Sequence, residues 1–148
     1  MKAVVQRVSS ASVTVDGKKV AQIKQGLLVL LGIKKGNQSD SHNYLINKIL
    51  NLRIFSDGDQ HFEKSVVDVG GEILLVSQFT LYGDCTKGNR PSFYQAMPPQ
   101  EAKQLYEVFA KDLKNAYPQV KEGVFGAMMQ VSLVNEGPAT FIVEDRSE

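Results

Sequence analysis

Apolar and polar residues alternate from Lys2 to Val15, the two-residue period of a strand with one buried face. Asp16-Gly17 interrupts that run and Lys18 to Ile23 resumes it, which predicts a hairpin closed by a tight turn. Gln25-Gly26 opens Leu27 to Ile33, a continuous apolar run that predicts a buried central strand. The period then lengthens. Leu45, Ile49 and Leu52 recur at helical spacing behind Ser39-Asp40, a pair suited to capping a helix start. Ser56-Asp57-Gly58-Asp59 reads as a turn, and Gly70-Gly71 as another ahead of a second buried strand over Glu72 to Val76. Pro98-Pro99 starts a second helix that places Ala102, Leu105, Tyr106, Phe109, Ala110 and Leu113 on one face, and Tyr117-Pro118 ends it. Met128 to Val134 and Ala139 to Val143 predict the last two strands, joined through Asn135-Glu136-Gly137-Pro138. The sum is an α+β fold, a mainly antiparallel sheet with two helices segregated to one side. No repeat, low-complexity tract or linker divides the chain, so residues 1–148 read as a single domain.

Composition narrows the function classes. At 43% hydrophobic and 22% charged, the chain reads as soluble and globular rather than disordered. Lys and Arg number 17 against 16 Asp and Glu, so bulk charge does not coat a nucleic acid and any RNA contact has to be a local patch. No apolar run approaches the ~20 residues of a membrane span. Met1 to Arg7 turns polar too soon for a signal peptide. Cys85 stands alone, so no internal disulfide forms and a reducing cytoplasm fits.

The common catalytic arrangements are not marked. His42 and His61 lie near no ligand-type partner at metal spacing, and both read as ordinary surface residues, so no metal site is expected. Asp84-Cys85-Thr86 offers a thiol without a base beside it, and the plainer reading is a small loop residue. Gly32 to Gly36 is too short and wrongly spaced for a phosphate loop. Two junctions remain. The strand Ile73 to Val76 runs straight into polar Ser77-Gln78 and on to Phe79-Thr80-Leu81-Tyr82, where N–H groups freed from a ladder can face a developing oxyanion. Gly137-Pro138 sits between two strand-like runs, where proline cannot donate to a ladder.

Several segments, in order, carry a resemblance: Met1 to Val8 with Ala11-Ser12-Val13-Thr14-Val15, then Asp68-Val69-Gly70-Gly71-Glu72, Val76 to Tyr82, Gly88-Asn89-Arg90-Pro91-Ser92-Phe93, Met129 to Leu133, and Asn135-Glu136-Gly137-Pro138. With these the chain resembles the D-aminoacyl-tRNA deacylase family nearly end to end. Ala139 is a departure, standing where the family more often has valine after Gly-Pro. Ser77-Gln78-Phe79-Thr80 follows this family's form rather than that of its trans-proline, L-alanyl-specific relative.

The resemblance implies a barrel-like fold, a homodimer, no cofactor, and aminoacyl-tRNA as partner through its 3′-terminal adenosine and acceptor stem. It implies hydrolysis of D-aminoacyl esters, with glycyl-tRNA as a second substrate class. Phe79 and Thr80 would supply backbone N–H groups to the ester carbonyl, and Ser77 and Gln78 would shape the mouth near the ribose. The Thr80 hydroxyl ranks as a nucleophile below a water assisted by the ribose 2′-OH. Phe125 and Met129 would line the pocket for adenine and the amino acid. Gly137 and Pro138, in cis, would enter the partner's pocket, bind the α-amino group and leave no room for an L side chain. Arg7 would hold the partner's Gly-Pro carbonyls. Lys87 and Arg90 are candidates for acceptor-stem phosphates. A second reading is an aminoacyl-tRNA-sensing module without turnover, since a related fold also serves as an editing domain in threonyl-tRNA synthetases. A third, DNA binding at replication origins, is disfavoured by the near-neutral charge and the absence of a basic extension.

Overall fold

The computed structural model of the chain describes residues 1–39 and 42–145. Among these residues, eight strands and two α-helices follow in sequence. The strands are β1 (Lys2–Val15), β2 (Lys18–Ile23), β3 (Gly26–Gly32), β4 (Phe55–Asp57), β5 (Gln60–Lys64), β6 (Glu72–Ser77), β7 (Val120–Glu122) and β8 (Gln130–Glu144). Helix α1 (His42–Asn51) precedes β4, and α2 (Pro99–Ala116) lies between β6 and β7.

Strand β1 organises the sheet. Its first half, Lys2 to Val8, pairs antiparallel with β3, and its second half, Ala11 to Val15, pairs with β2. Along its other edge runs β8, also antiparallel. Asp16 and Gly17 both take positive φ (50° and 75°), the tight hairpin geometry that follows the twist of the flanking strands. Two parallel pairs, β3 with β6 and β6 with β7, extend the sheet. Parallel neighbours need long crossovers, and α1 and α2 lie within them. A strand that pairs with three others while the sheet continues beyond β3 curls it into a nearly closed, barrel-like shape.

The unbroken apolar runs have a direct cause. Leu27, Val29 and Leu31 of β3, with Ile73 and Leu75 of β6, face the helices. Leu28, Leu74 and Val76 face the opposite core, with Val8, Val13 and Ile23. A strand covered on both faces has no polar side to alternate with. Both helices cover the first of these faces. Leu45 and Ile49 of α1 and Ala102, Tyr106, Phe109 and Leu113 of α2 are buried there, as the helical spacing predicts. Leu52 falls just past α1 and is packed against that core. Pro99 opens α2 at its first position, where a missing N–H costs nothing. Truncating a fully buried ring such as Phe109 to alanine costs about 3–5 kcal/mol.

Two expectations need correction. His42 is buried, bonding Asp112 Oδ2 through Nε2 at 2.7 Å and meeting Phe109 edge-on at 5.7 Å. Its position in helical register with Leu45 and Ile49 carries it onto the packed stripe, whereas His61 is exposed as expected. The expected turn at Ser56 to Asp59 is present, as the tip of a small hairpin in which β4 pairs with β5. The last two strands are a single strand, β8, interrupted by an outward arch described below. Ser39-Asp40 as a helix cap falls partly outside the described residues.

Candidate active site

Strand β6 ends in a change of backbone geometry. Ser77 is still in register with Leu31, and the Gln78 N–H bonds the Leu31 carbonyl at 2.7 Å. The chain then leaves the ladder and winds one 3-10 turn over Phe79–Tyr82, not a continuing strand. Leu81 N–H bonds Gln78 O at 3.2 Å and Gly83 N–H bonds Thr80 O at 2.9 Å. The N–H groups of Phe79 and Thr80, first in the turn, have no hydrogen-bond partner among the described residues. They are the unsatisfied donors that every helical start presents. Gly32 makes room: a Cβ there would lie 3.0 Å from Leu81 Cβ and 3.1 Å from Gln78 O.

Ser77, Gln78 and Phe79 form one wall of a cavity of about 890 Å³, and Phe125 and Met129 line it too. Phe125 rests on the Tyr106 ring at 5.4 Å, and Phe79 meets Phe93 edge-to-face at 5.2 Å. The Met129 sulfur accepts the Val124 N–H at 3.4 Å and lies where a Cβ on Gly123 would meet it at 2.7 Å. The rest of the lining is chiefly apolar, including Met97, Pro98 and Ala102 at the start of α2. An apolar cleft with a few polar groups on one wall is the usual form of a small-molecule site. The place of these residues in a cavity escaped sequence reading, because Pro98-Pro99 signals a helix start and not what the helix start faces.

Thr80 is absent from the cavity lining. Its hydroxyl accepts the Gln78 Nε2–H at 2.5 Å. An amide is not a base in either orientation, so nothing there activates the hydroxyl as a nucleophile. The Tyr106 phenol behind Phe125 is pushed above the normal tyrosine range by burial, with Glu122 adding to the shift, so it stays neutral. No group of three or more His, Cys, Asp or Glu suited to a metal occurs among the described residues. What the turn at the end of the wall offers chemically is two backbone donors, of which only the Phe79 N–H belongs to a lining residue.

Arg7, Gly137 and Pro138 are absent from the cavity lining and come together elsewhere. Opposite Arg7, β8 leaves the ladder: Gln6 pairs with Thr140 and Val8 with Asn135, so residues 136–139 stand against one residue of β1. The surplus arches outward, which is how a strand accommodates a proline. Gly137 and Pro138 at its crest are exposed, the bond between them is cis, and Gly137 has φ 135°, a conformation that favours glycine. Arg7 donates Nε–H to Glu136 O at 2.9 Å and Nη1–H to Ile54 O at 2.6 Å. It thus holds its own chain's arch.

Lys87 and Arg90 are exposed on an excursion closed at its base by mutual backbone hydrogen bonds between Asp84 and Ser92. The loop leads into Phe93 at the cavity wall. The Asp84 carboxyl, bonded by the Thr86 hydroxyl and N–H, is held below the usual carboxylate range. Cys85 is exposed on the same loop. No helix of the described residues is long and apolar enough to cross a membrane.

The chain is similar to known proteins over nearly its whole length. It is 52% identical to a D-aminoacyl-tRNA deacylase of Thermosipho africanus over 146 residues, covering 99% of this chain and 98% of the relative. It is 53% identical to one of Clostridium tetani, with the same coverage. A solved structure described as a c-Myc DNA Unwinding Element Binding Protein superposes with a TM-score of 0.95 at 46% identity, covering 99% of this chain and 100% of that one. The family model described as D-Tyr-tRNA(Tyr) deacylase matches residues 4–144. On that match and those identities, the chain belongs to the D-Tyr-tRNA(Tyr) deacylase family.

Proposed function

We infer that the protein is a D-aminoacyl-tRNA deacylase, an ester hydrolase that works in the cytoplasm on aminoacyl-tRNA. The observation that carries the reading is the pair of unpartnered N–H groups on Phe79 and Thr80, at the end of a strand that walls an apolar cavity. An aminoacyl ester is already activated and needs little acid–base help. Water attacks the ester carbonyl carbon, and the two N–H groups receive the oxyanion. The bond to the ribose 3′-oxygen then breaks, and the attacking water supplies its proton through the neighbouring 2′-OH. The products are free tRNA and the amino acid. Ser77 and Gln78 border the ribose, while Phe125 and Met129 pack against the terminal adenosine and amino acid.

Chirality is read by a second copy of the chain. The arch at Gly137 and Pro138 is exposed and lies outside its own chain's cavity, which supports a homodimer in which each arch enters the other's site. The Gly137 and Pro138 carbonyls bind the α-amino group and fill the space an L side chain needs. A D side chain points away, and glycine has no side chain to reject, so glycyl-tRNA is also a substrate. The DNA-binding name of the 46% identical structure belongs to that protein, and a net charge of +1 gives it no support here.

Titration with adenosine carrying D-tyrosine through a non-hydrolysable 3′-amide tests the reading. Binding should shift the Phe79 and Thr80 amide resonances and saturate, while the L isomer binds far more weakly. Equal binding of both isomers, or shifts confined to other residues, would overturn it.

A further inference from the structure

We propose that Phe62, on the β4–β5 hairpin, is a positioning residue for the Gly137–Pro138 arch and acts through Arg7. The inference rests on the chiral role proposed for that arch.

Phe62 is not built like a core residue. It is 52% exposed and its backbone lies at φ 57°, a left-handed conformation that bulky side chains rarely adopt. Its ring nevertheless has two defined neighbours. It meets Phe141 of β8 edge-to-face at 6.1 Å with an 88° interplanar angle, and the Arg7 guanidinium carbon lies 6.0 Å from its centroid. The hairpin therefore touches Arg7 twice, through this ring and through the Ile54 carbonyl just before β4. Arg7 in turn bonds Glu136 O, and its Nη2 lies where a Cβ on Gly137 would meet it at 2.7 Å. The contacts run from Phe62 to Arg7 to the arch without a break.

The hairpin is fixed independently of the arch. Arg53 bonds the Glu63 carboxylate at 2.7 Å and the Glu63 carbonyl at 3.0 Å, and Lys64 pairs with Asp57 at 3.5 Å. Phe62 thus stands on a braced support, where the face of its ring attracts the guanidinium. That contact restricts the guanidinium to the orientation from which Nε–H bonds Glu136 O. The strained backbone at Phe62 is the conformation that turns the ring onto Arg7.

The test is a double-mutant cycle of Phe62→Ala and Arg7→Ala, read by steady-state deacylation of D-Tyr-tRNA. Phe62→Ala should raise KM about fivefold, the size of one exposed cation–π contact, with kcat unchanged. Phe62→Tyr keeps the ring and should restore KM. In the Arg7→Ala background the Phe62 substitution should add nothing. A loss of equal size in both backgrounds, or no change in KM from Phe62→Ala alone, would overturn the proposal. A second readout needs no enzyme activity. The Arg7 Nε–H resonance should move and exchange faster with water in Phe62→Ala, and an unaltered resonance would also overturn the proposal. Wild-type protein that fails to prefer the D ester would instead contradict the chiral reading, leaving the link from Phe62 to Arg7 to stand or fall on the resonance.

Discussion

Asn135 accepts the Ala139 N–H on its Oδ1 at 2.7 Å, so one side chain joins the two feet of the arch that carries Gly137 and Pro138. The same amide donates to Thr140 Oγ1 at 2.8 Å, where β8 rejoins β1. Ala139 is buried at this foot, so its methyl group occupies a packed position and not the crest. Asn135→Ala should lower stability by about 1–2 kcal/mol, the cost of leaving the Ala139 N–H unpaired. It should reduce the preference for D over L esters more than it reduces turnover of the D ester. Chemical denaturation together with paired deacylation assays checks both effects.

The Thr80 hydroxyl is held by the Gln78 amide and has no base beside it. Thr80→Ala should therefore keep most of its turnover, because the backbone N–H survives the substitution. A dead Thr80→Ala enzyme that remains folded by circular dichroism would show that the hydroxyl, not the backbone, does the work.

Tyr117 closes the far end of the core, donating its buried hydroxyl to the Gly71 carbonyl at 2.5 Å. Tyr117→Phe should cost about 1 kcal/mol, or roughly 3 °C in melting temperature for a chain this size, with deacylation unchanged. The hydrogen bond is remote from the cavity wall, so a thermal melt should detect its loss and an activity assay should not.

Three tyrosines set the alkaline limit. Burial raises the phenol pKa of Tyr82, Tyr106 and Tyr117, with the acids Asp145, Glu122 and Glu72 respectively adding to it. A raised folded-state pKa stabilises the fold at pH values below the unfolded tyrosine value. That contribution should be lost as pH climbs from about 10, where the unfolded chain ionises first. At the acid end, Glu72 is held below its ordinary value by the Lys24 N–H and by Lys121. Its contribution is present above about pH 4.3 and lost as pH falls through the depressed value. Denaturation midpoints measured across pH should fall in both windows.

Much of this architecture was legible in the residues. Alternation in β1 and β2, apolar runs in β3 and β6, and helical spacing in α1 and α2 each reflect which faces of an element are buried, and burial leaves a periodic mark. The parts that were not legible depend on partners distant in sequence. Strand β7 has three residues and exists because β6 offers it an edge. The β4–β5 hairpin shows a turn signal but no apolar alternation, since its strands are largely exposed. The arch reads locally as a break between two strands, and only continued pairing with β1 on both sides makes it one. The apolar character of Phe125 and Met129 fits a core as well as a cavity, so the space between them and Ser77-Gln78-Phe79 required the fold.

The exposed Lys87 and Arg90 loop at the cavity wall should contact the acceptor stem. Replacing both by glutamine should weaken tRNA binding at low salt and flatten the dependence of log affinity on log salt by about 1–2 units. Binding isotherms at several salt concentrations measure the slope, and an unchanged slope would remove this loop from the interface.

The central claim is a site that hydrolyses D esters and spares L esters. Deacylation of matched D-Tyr-tRNA and L-Tyr-tRNA by the purified protein, with EDTA present, tests it most directly. The account predicts rapid loss of the D ester alone. Survival of both esters while tRNA still binds would make the chain a sensing module, and cleavage of both would contradict the role assigned to Gly137 and Pro138.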